Sequence, residues 1–313
     1  MTLASEKNHN GEGIMTNKAE KVWIQYFSYG DLGVSRHGKK IRLETSTTHP
    51  AQIELIRRLM NTHAKPIIYP YKTGATYGWR IVCYVDQTFG FLISERRDLH
   101  PDLILDDRLF YSALSGFADA DGHIGLRKVR KLASAIFTLS NRNKELLLGF
   151  KVGLEKRGFT PGIYSLHSKN STVQYQLELR GRNAMKLFLH LEPKHAEKSE
   201  ALNLALKHYG QDWSIAGAVY RDFRNSIRKG RDLFIAEAKS KYPLRGLVKE
   251  ERRSTLMEKV RSAQSMRLHG LEIGTIAEKS HRSRRTIYRW LRLRGNESDI
   301  RNKEETKQAN SRN

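Results

Sequence analysis

The 313-residue chain contains one cysteine, Cys83, which excludes an internal disulfide and any cysteine-based zinc site. A reducing, intracellular setting is the natural expectation. Long apolar runs are missing too: no stretch approaches the roughly 18 apolar residues of a membrane-spanning helix. The polar stretch Met1 to Asn17 has no apolar signal-peptide core, so neither secretion nor a membrane partner is expected. The 12 histidines show no metal-ligand spacing, and no glycine-rich loop could cradle phosphates, so nucleotide cofactors are not implied. Acidic residues are scarce, 33 Asp and Glu against 56 Lys and Arg, leaving a formal net charge of +23. So basic a chain is expected to bind a polyanion, and nucleic acid is the usual one.

The excess is uneven. Residues 221–313 hold 25 Lys and Arg against 12 Asp and Glu, which marks a separately basic C-terminal module. Upstream, apolar periodicity alternates between strand and helix spacing. Val173, Tyr175, Leu177 and Leu179 face one way, with Gln174, Gln176, Glu178 and Arg180 on the other. Ala135, Phe137 and Leu139 alternate with Ser134, Ile136, Thr138 and Ser140, and helices fit 142–156 and 181–191. The order is helix, hairpin, helix, hairpin, helix, an α+β unit.

A similar order precedes it, so residues 14–98 read as a divergent copy of 110–200. Laying Gly30-Asp-Leu-Gly-Val34 on Gly122-His-Ile-Gly-Leu126 sets Tyr29 against Asp121 and Ile24 against Gly116. On that register Asp31 and Glu12 fall outside the matched position. The expected segments are a disordered 1–13, a first repeat 14–105, a second repeat 106–210, a helical linker 211–255, a compact helical module 256–294 and a disordered tail 295–313. Within the linker, Lys241-Tyr-Pro-Leu-Arg-Gly is expected to break the helix.

Residues 114–122, Leu-Ser-Gly-Phe-Ala-Asp-Ala-Asp-Gly, carry the most information. Carboxylates at a helix C-terminus oppose the macrodipole, an arrangement that makes sense beside a cation. The stretch resembles the signature of the LAGLIDADG homing endonucleases at Leu114, Gly116, Asp119, Ala120, Asp121 and Gly122, departing at Ser115, Phe117 and Ala118. The resemblance implies two pseudo-symmetric units that form a saddle of antiparallel sheets over double-stranded DNA. Leu114, Gly116, Phe117, Asp119 and Gly122 would serve the packing of two motif helices at its centre. It also implies that Asp121 is catalytic and binds Mg²⁺ or Mn²⁺ beside the scissile phosphates, with Asp119 structural. Lys194 resembles a basic residue that assists catalysis in this fold, and Arg97 is its rough counterpart in the first copy.

A twisted antiparallel ribbon fits the major groove, so Arg127, Gln174, Gln176, Arg180, Arg42 and Glu44 are the candidate DNA contacts of the sheets. Residues Ile273 to Leu291 resemble the helix-turn-helix of recombinases and repressors. Ala277 is small at the crossing, Ser283 is an N-cap, and Ile287 and Leu291 face inward. Ser280 replaces the usual leucine and His281 the turn glycine. Arg284, Arg285, Tyr288 and Arg289 would meet DNA. The resulting reading is a site-specific, metal-dependent DNA endonuclease of the kind that mobilises introns or inteins, and a nickase if Tyr29 has replaced the first acid. A monomer with a pseudo-dimeric core is favoured over a homodimer. The alternative is an inactive DNA-binding regulator or an intron RNA maturase.

Overall fold

In the computed structural model, which describes residues 17–93, 98–167 and 173–292, the chain divides into two compact units, Met1–Lys241 and Tyr242–Asn313. Glu12, Arg97 and the two expected disordered ends, 1–13 and 295–313, lie outside the described residues.

The first unit begins with helix α1 (Lys18–Asp31), started by Asn17, whose side chain accepts from the Ala19 N–H. From Val22 to Tyr29 only Gln25 is not buried, so α1 is apolar nearly all round and requires partners on two sides. It leads into β1 (Gly33–His37), β2 (Lys40–Thr47), α2 (Pro50–Met60), β3 (Ile67–Thr73) and β4 (Thr76–Val85). A 3₁₀ turn (Gln87–Leu92) and the short α3 (Pro101–Leu105) follow. The pattern then repeats as α4 (Asp107–Asp121), β5 (Gly122–Val129), β6 (Leu132–Asn141), α5 (Lys144–Lys156), β7 (Gly162–His167), β8 (Val173–Arg180) and α6 (Gly181–Phe188). The two antiparallel sheets have the same order, β1-β2-β4-β3 and β5-β6-β8-β7, so the inferred duplication is present in the topology. Helix α7 (Ala196–His208) follows, and α8 (Trp213–Leu268) begins in this unit.

Each sheet buries its alternate residues under its own helices. Ile41, Leu43, Ile81 and Cys83 build one core with Ile53 and Ile56 of α2; Ile124, Leu126, Phe137, Leu139, Leu177 and Leu179 build the other with Leu147 and Phe150 of α5. Helix α1 belongs to both: Trp23, Ile24 and Phe27 enter the first core, Val22, Tyr26 and Tyr29 the second.

The most extensive helix contact in the unit is that of α1 with α4. A Cβ on Gly116 would stand 2.1 Å from the Trp23 carbonyl oxygen, and one on Gly30 would stand 2.6 Å from the Ala120 Cβ. Leu114 and Phe117 are wholly buried in the second core, and Gly122 closes α4 by donating its N–H to the Ala118 carbonyl.

In the second unit, α9 (Ile273–Lys279) and α10 (Arg284–Arg292) join through a tight turn, with His281 at φ 47 in the left-handed region. Ser283 Oγ accepts from the Thr286 N–H at 3.3 Å, and Val260, Ala263, Ile276, Ala277, Ile287 and Trp290 form the core. The break expected at Lys241–Gly246 does not occur. Pro243 lies inside α8, and the helix tolerates the one backbone hydrogen bond that a proline cannot donate. No helix among the described residues is long and apolar enough to cross a membrane.

Gly116→Ala should lower stability by about 3 kcal/mol, because the new methyl meets backbone rather than a movable side chain. Gly230→Ala, with nothing within 4 Å of its Cβ, should raise stability by up to about 1 kcal/mol. Urea denaturation of both variants measures the contrast.

Candidate active site at the ends of the paired helices

Both long helices of the contact end on an aspartate. The Leu32 N–H returns to the Ser28 carbonyl, as that of Gly122 returns to Ala118, so Asp31 is the counterpart of Asp121. Tyr29 then corresponds to Asp119 and Tyr26 to Gly116. This corrects the register read from the sequence, where Gly30 was laid on Gly122 and the first acid was taken as lost to Tyr29. Gly30 is a helix residue seated on Ala120, and the first-copy strand starts only at Gly33.

The two acids are held alike. Gln52 Nε2 donates to Asp31 Oδ2 at 2.8 Å, and Asn141 Nδ2 donates to Asp121 Oδ2 at 2.7 Å. Among the described residues, no hydrogen bond reaches the other oxygen of either carboxylate. Burial pushes Asp31 up to about 6, Lys198 opposes that shift, and the nearby Asp121 charge adds to it. Asp121 is also raised by burial, tempered by the Asn141 hydrogen bond and by Lys198.

Asp119 has a different task. It is 1% exposed and accepts the backbone N–H groups of Lys194 and His195 at 2.6 and 3.2 Å, so it ties the end of α4 to the loop before α7. Burial raises it to about 6, against these hydrogen bonds and Lys198. In the first copy the Tyr29 hydroxyl instead accepts from Gln25 Nε2 at 2.8 Å.

Lys198 is the lysine of the site. Its ammonium donates to the carbonyls of Ala118, Asp119 and Ala120 at 2.7, 2.6 and 3.0 Å, occupying the negative end of α4. Burial lowers its pKa, while Asp119, Asp31, Asp121 and Glu197 favour the charge. Lys194, the residue expected there, points elsewhere: its Nζ is 3.5 Å from Glu20 and 4.8 Å from the Trp23 ring. Both partners lie two or more turns from Asp31 along α1. The loop is anchored through its backbone, which leaves the first turn of α7 to supply the half-buried cation. Asp31, Gln52, Asn141 and Lys198 were missed as site residues. Lys198 had a legible signal, sharing a helix face with Ala201, Leu202 and Ala205, all buried.

The expected DNA contacts are distributed over both units. On the sheet faces turned from the cores, Arg42 pairs with Glu44 and Arg180 with a buried Glu178. Gln174 is exposed, Gln176 is half-buried opposite Ser140 and Tyr164, and Arg127 is half-buried with its Nε lacking a hydrogen-bond partner. On α10, Arg284, Arg285, Tyr288 and Arg289 are exposed, while Ile287 and Trp290 are buried.

A family model described as a LAGLIDADG-like domain matches residues 112–191, from within α4 to just beyond α6. None of the curated proteins matches the chain. Among solved structures, the homing endonuclease I-WcaI bound to its DNA recognition sequence is 18% identical over 59% of this chain and 87% of its own, with a TM-score of 0.44. The LAGLIDADG meganuclease I-AabMI bound to uncleaved DNA is 10% identical over 67% and 99%, TM-score 0.41. I-DmoI in complex with DNA and Ca is 15% identical over 61% and 98%, TM-score 0.40.

The raised Asp31 sets the sign of a pH effect. Its folded pKa of about 6 exceeds the ordinary 3.8, so the stability it contributes is complete below about 3.8 and lost as pH rises through about 6. The Tm of the wild type should therefore fall relative to Asp31→Asn between about pH 4 and pH 7. Added Mg²⁺ should recover that loss at about pH 7 and have no effect at about pH 4, where the acid is protonated.

Proposed function

We propose that the protein is a DNA endonuclease that hydrolyses phosphodiester bonds at the Asp31–Asp121 pair with a divalent cation. The observation that carries the reading is this pair: two carboxylates from two copies of one fold, brought together at helix ends that already repel negative charge. Their donor set fits Mg²⁺ or Mn²⁺. Both ligands are hard oxygens with one lone-pair-bearing atom left open, and burial plus mutual repulsion favours a bound cation. No cluster of three or more acidic, histidine or cysteine side chains occurs among the described residues. Mg²⁺ commonly keeps several waters and takes one or two carboxylates together with phosphate oxygens.

Asp31 and Asp121 would hold the metal, which when bound supplies an acidified water and neutralises charge on the phosphate. Gln52 and Asn141 fix the carboxylate planes. Lys198 stabilises the ionised form of both acids, holds the end of α4, and adds positive charge where negative charge develops. With Asp31 in the register of Asp121, the ground for a nickase falls away and cutting of both strands is the proposal. The sheet faces turned from the cores, with Arg42, Arg127, Gln174, Gln176 and Arg180, would bind duplex DNA. Helix α10 would enter the major groove as the recognition helix of a helix-turn-helix, using Arg284, Arg285, Tyr288 and Arg289.

The test is cleavage of a plasmid bearing a target selected by binding from a random duplex pool. With Mg²⁺ the wild type should give linear product, and Asp31→Asn and Asp121→Asn should each cut at least about 10²-fold more slowly while still binding. Lys198→Met should slow cleavage, whereas Lys194→Met should not. Binding without nicked or linear product would overturn the reading and leave a regulator.

A further inference from the structure

Helix α8 crosses the site, although it belongs to neither copy of the duplicated fold. Near its start, the Tyr220 hydroxyl meets the Ile124 carbonyl at 3.5 Å. It can do so because Gly125 has no side chain: a Cβ there would be 2.0 Å from the hydroxyl. Further along, the Phe234 carbonyl accepts from Trp79 Nε1 at 3.0 Å, and Ala238 is buried in the core of the first copy. The helix is thus fixed to the second copy at one point and to the first at another. Between those points, Arg224, Arg228 and Arg231 recur at i, i+4 and i+7, on one stripe.

That stripe lines a cleft of about 410 Å³, which also touches Gly122, the residue directly after Asp121. Lys198, His123 and His49 line it from other elements. Its one carboxylate, Glu197, is engaged by His49 at 3.1 Å. Arg231 Nε has no hydrogen-bond partner and sits 4.0 Å from Asp232 Oδ1, and no other carboxylate among the described residues pairs with the three arginines. A fixed, concave surface with three arginines on one stripe, beside two half-buried acids, suits an anion.

We propose that this cleft is a seat for the DNA backbone, in which Arg224, Arg228 and Arg231 bind phosphates flanking the bond at Asp121. The inference rests on the endonuclease reading for its choice of anion. It makes α8 part of the nucleic-acid site and assigns the three arginines to phosphate contact without base selection.

The experiment uses the full chain without Mg²⁺ and a random-sequence 30-base-pair duplex, with binding followed by anisotropy across a salt series. Each phosphate contact contributes about 0.9 to the slope of log K against log salt. The triple Arg→Gln variant at 224, 228 and 231 should lower that slope by about 2 to 3 and weaken binding at least about tenfold. The triple Arg→Lys variant should restore the slope, and the exposed single Arg228→Gln should lower it by about 1. Lys156→Gln on α5, outside the cleft, is the control. An unchanged slope overturns the proposal, and so does tighter binding by the triple Gln variant, which would make α8 a cover over the site. Loss of slope together with undiminished cleavage by Asp121→Asn would keep the phosphate seat and discard the catalytic pair. An unchanged slope with cleavage abolished in Asp121→Asn would do the reverse.

Discussion

The site depends on how closely α1 and α4 approach each other. Gly116 lies against the Trp23 backbone and Gly30 against Ala120, distances that admit no side chain on either glycine. Two helix ends that each carry partial negative charge are thereby forced together with their terminal aspartates. Hydrophobic burial on both flanks of α1 supplies the free energy that holds this repulsive arrangement. Its electrostatic consequences follow directly: raised carboxylate pKa values, and a half-buried lysine on the carbonyls of α4. Stability and chemistry are opposed here, as is common where buried charges serve a reaction.

The duplication, the two sheets and the limits of the motif helix were legible because each depends on local periodicity. Alternation in β6 and β8 gave the core face, and Leu147, Phe150 and Leu154 gave the buried stripe of α5. Register between the copies was not legible. Glycine invited alignment with glycine, yet Gly30 is a contact residue inside a helix and Gly122 starts a strand. Only the C-cap hydrogen bonds distinguish the two roles. Lys194 and Lys198 stand one helical turn apart in the sequence, and their separation in function arises because Asp119 grips the backbone between them. The continuity of α8 through Pro243 ran against a sound local rule, which the flanking helical sequence overrode.

The two halves are equal in topology and unequal in detail. The second uses Asp119 to bind the following loop, where the first places Tyr29 against Gln25 and the edge of Tyr26. The first half is followed by a short connection into α4, and the second by two further helices that return to the centre. Lys198 and the arginines of α8 all come from these later elements, so the charge around a nearly symmetric pair of acids is supplied from one side.

Seven of the eight residues from Val22 to Tyr29 are buried, and α1 packs against α4, about ninety residues later in the chain. During synthesis the first copy emerges with an apolar helix it cannot cover. It must wait, incomplete, until residues 107–121 have left the ribosome. Neither carboxylate can therefore acquire its neighbour until Asp121 has been made, more than a third of the way along the 313-residue chain.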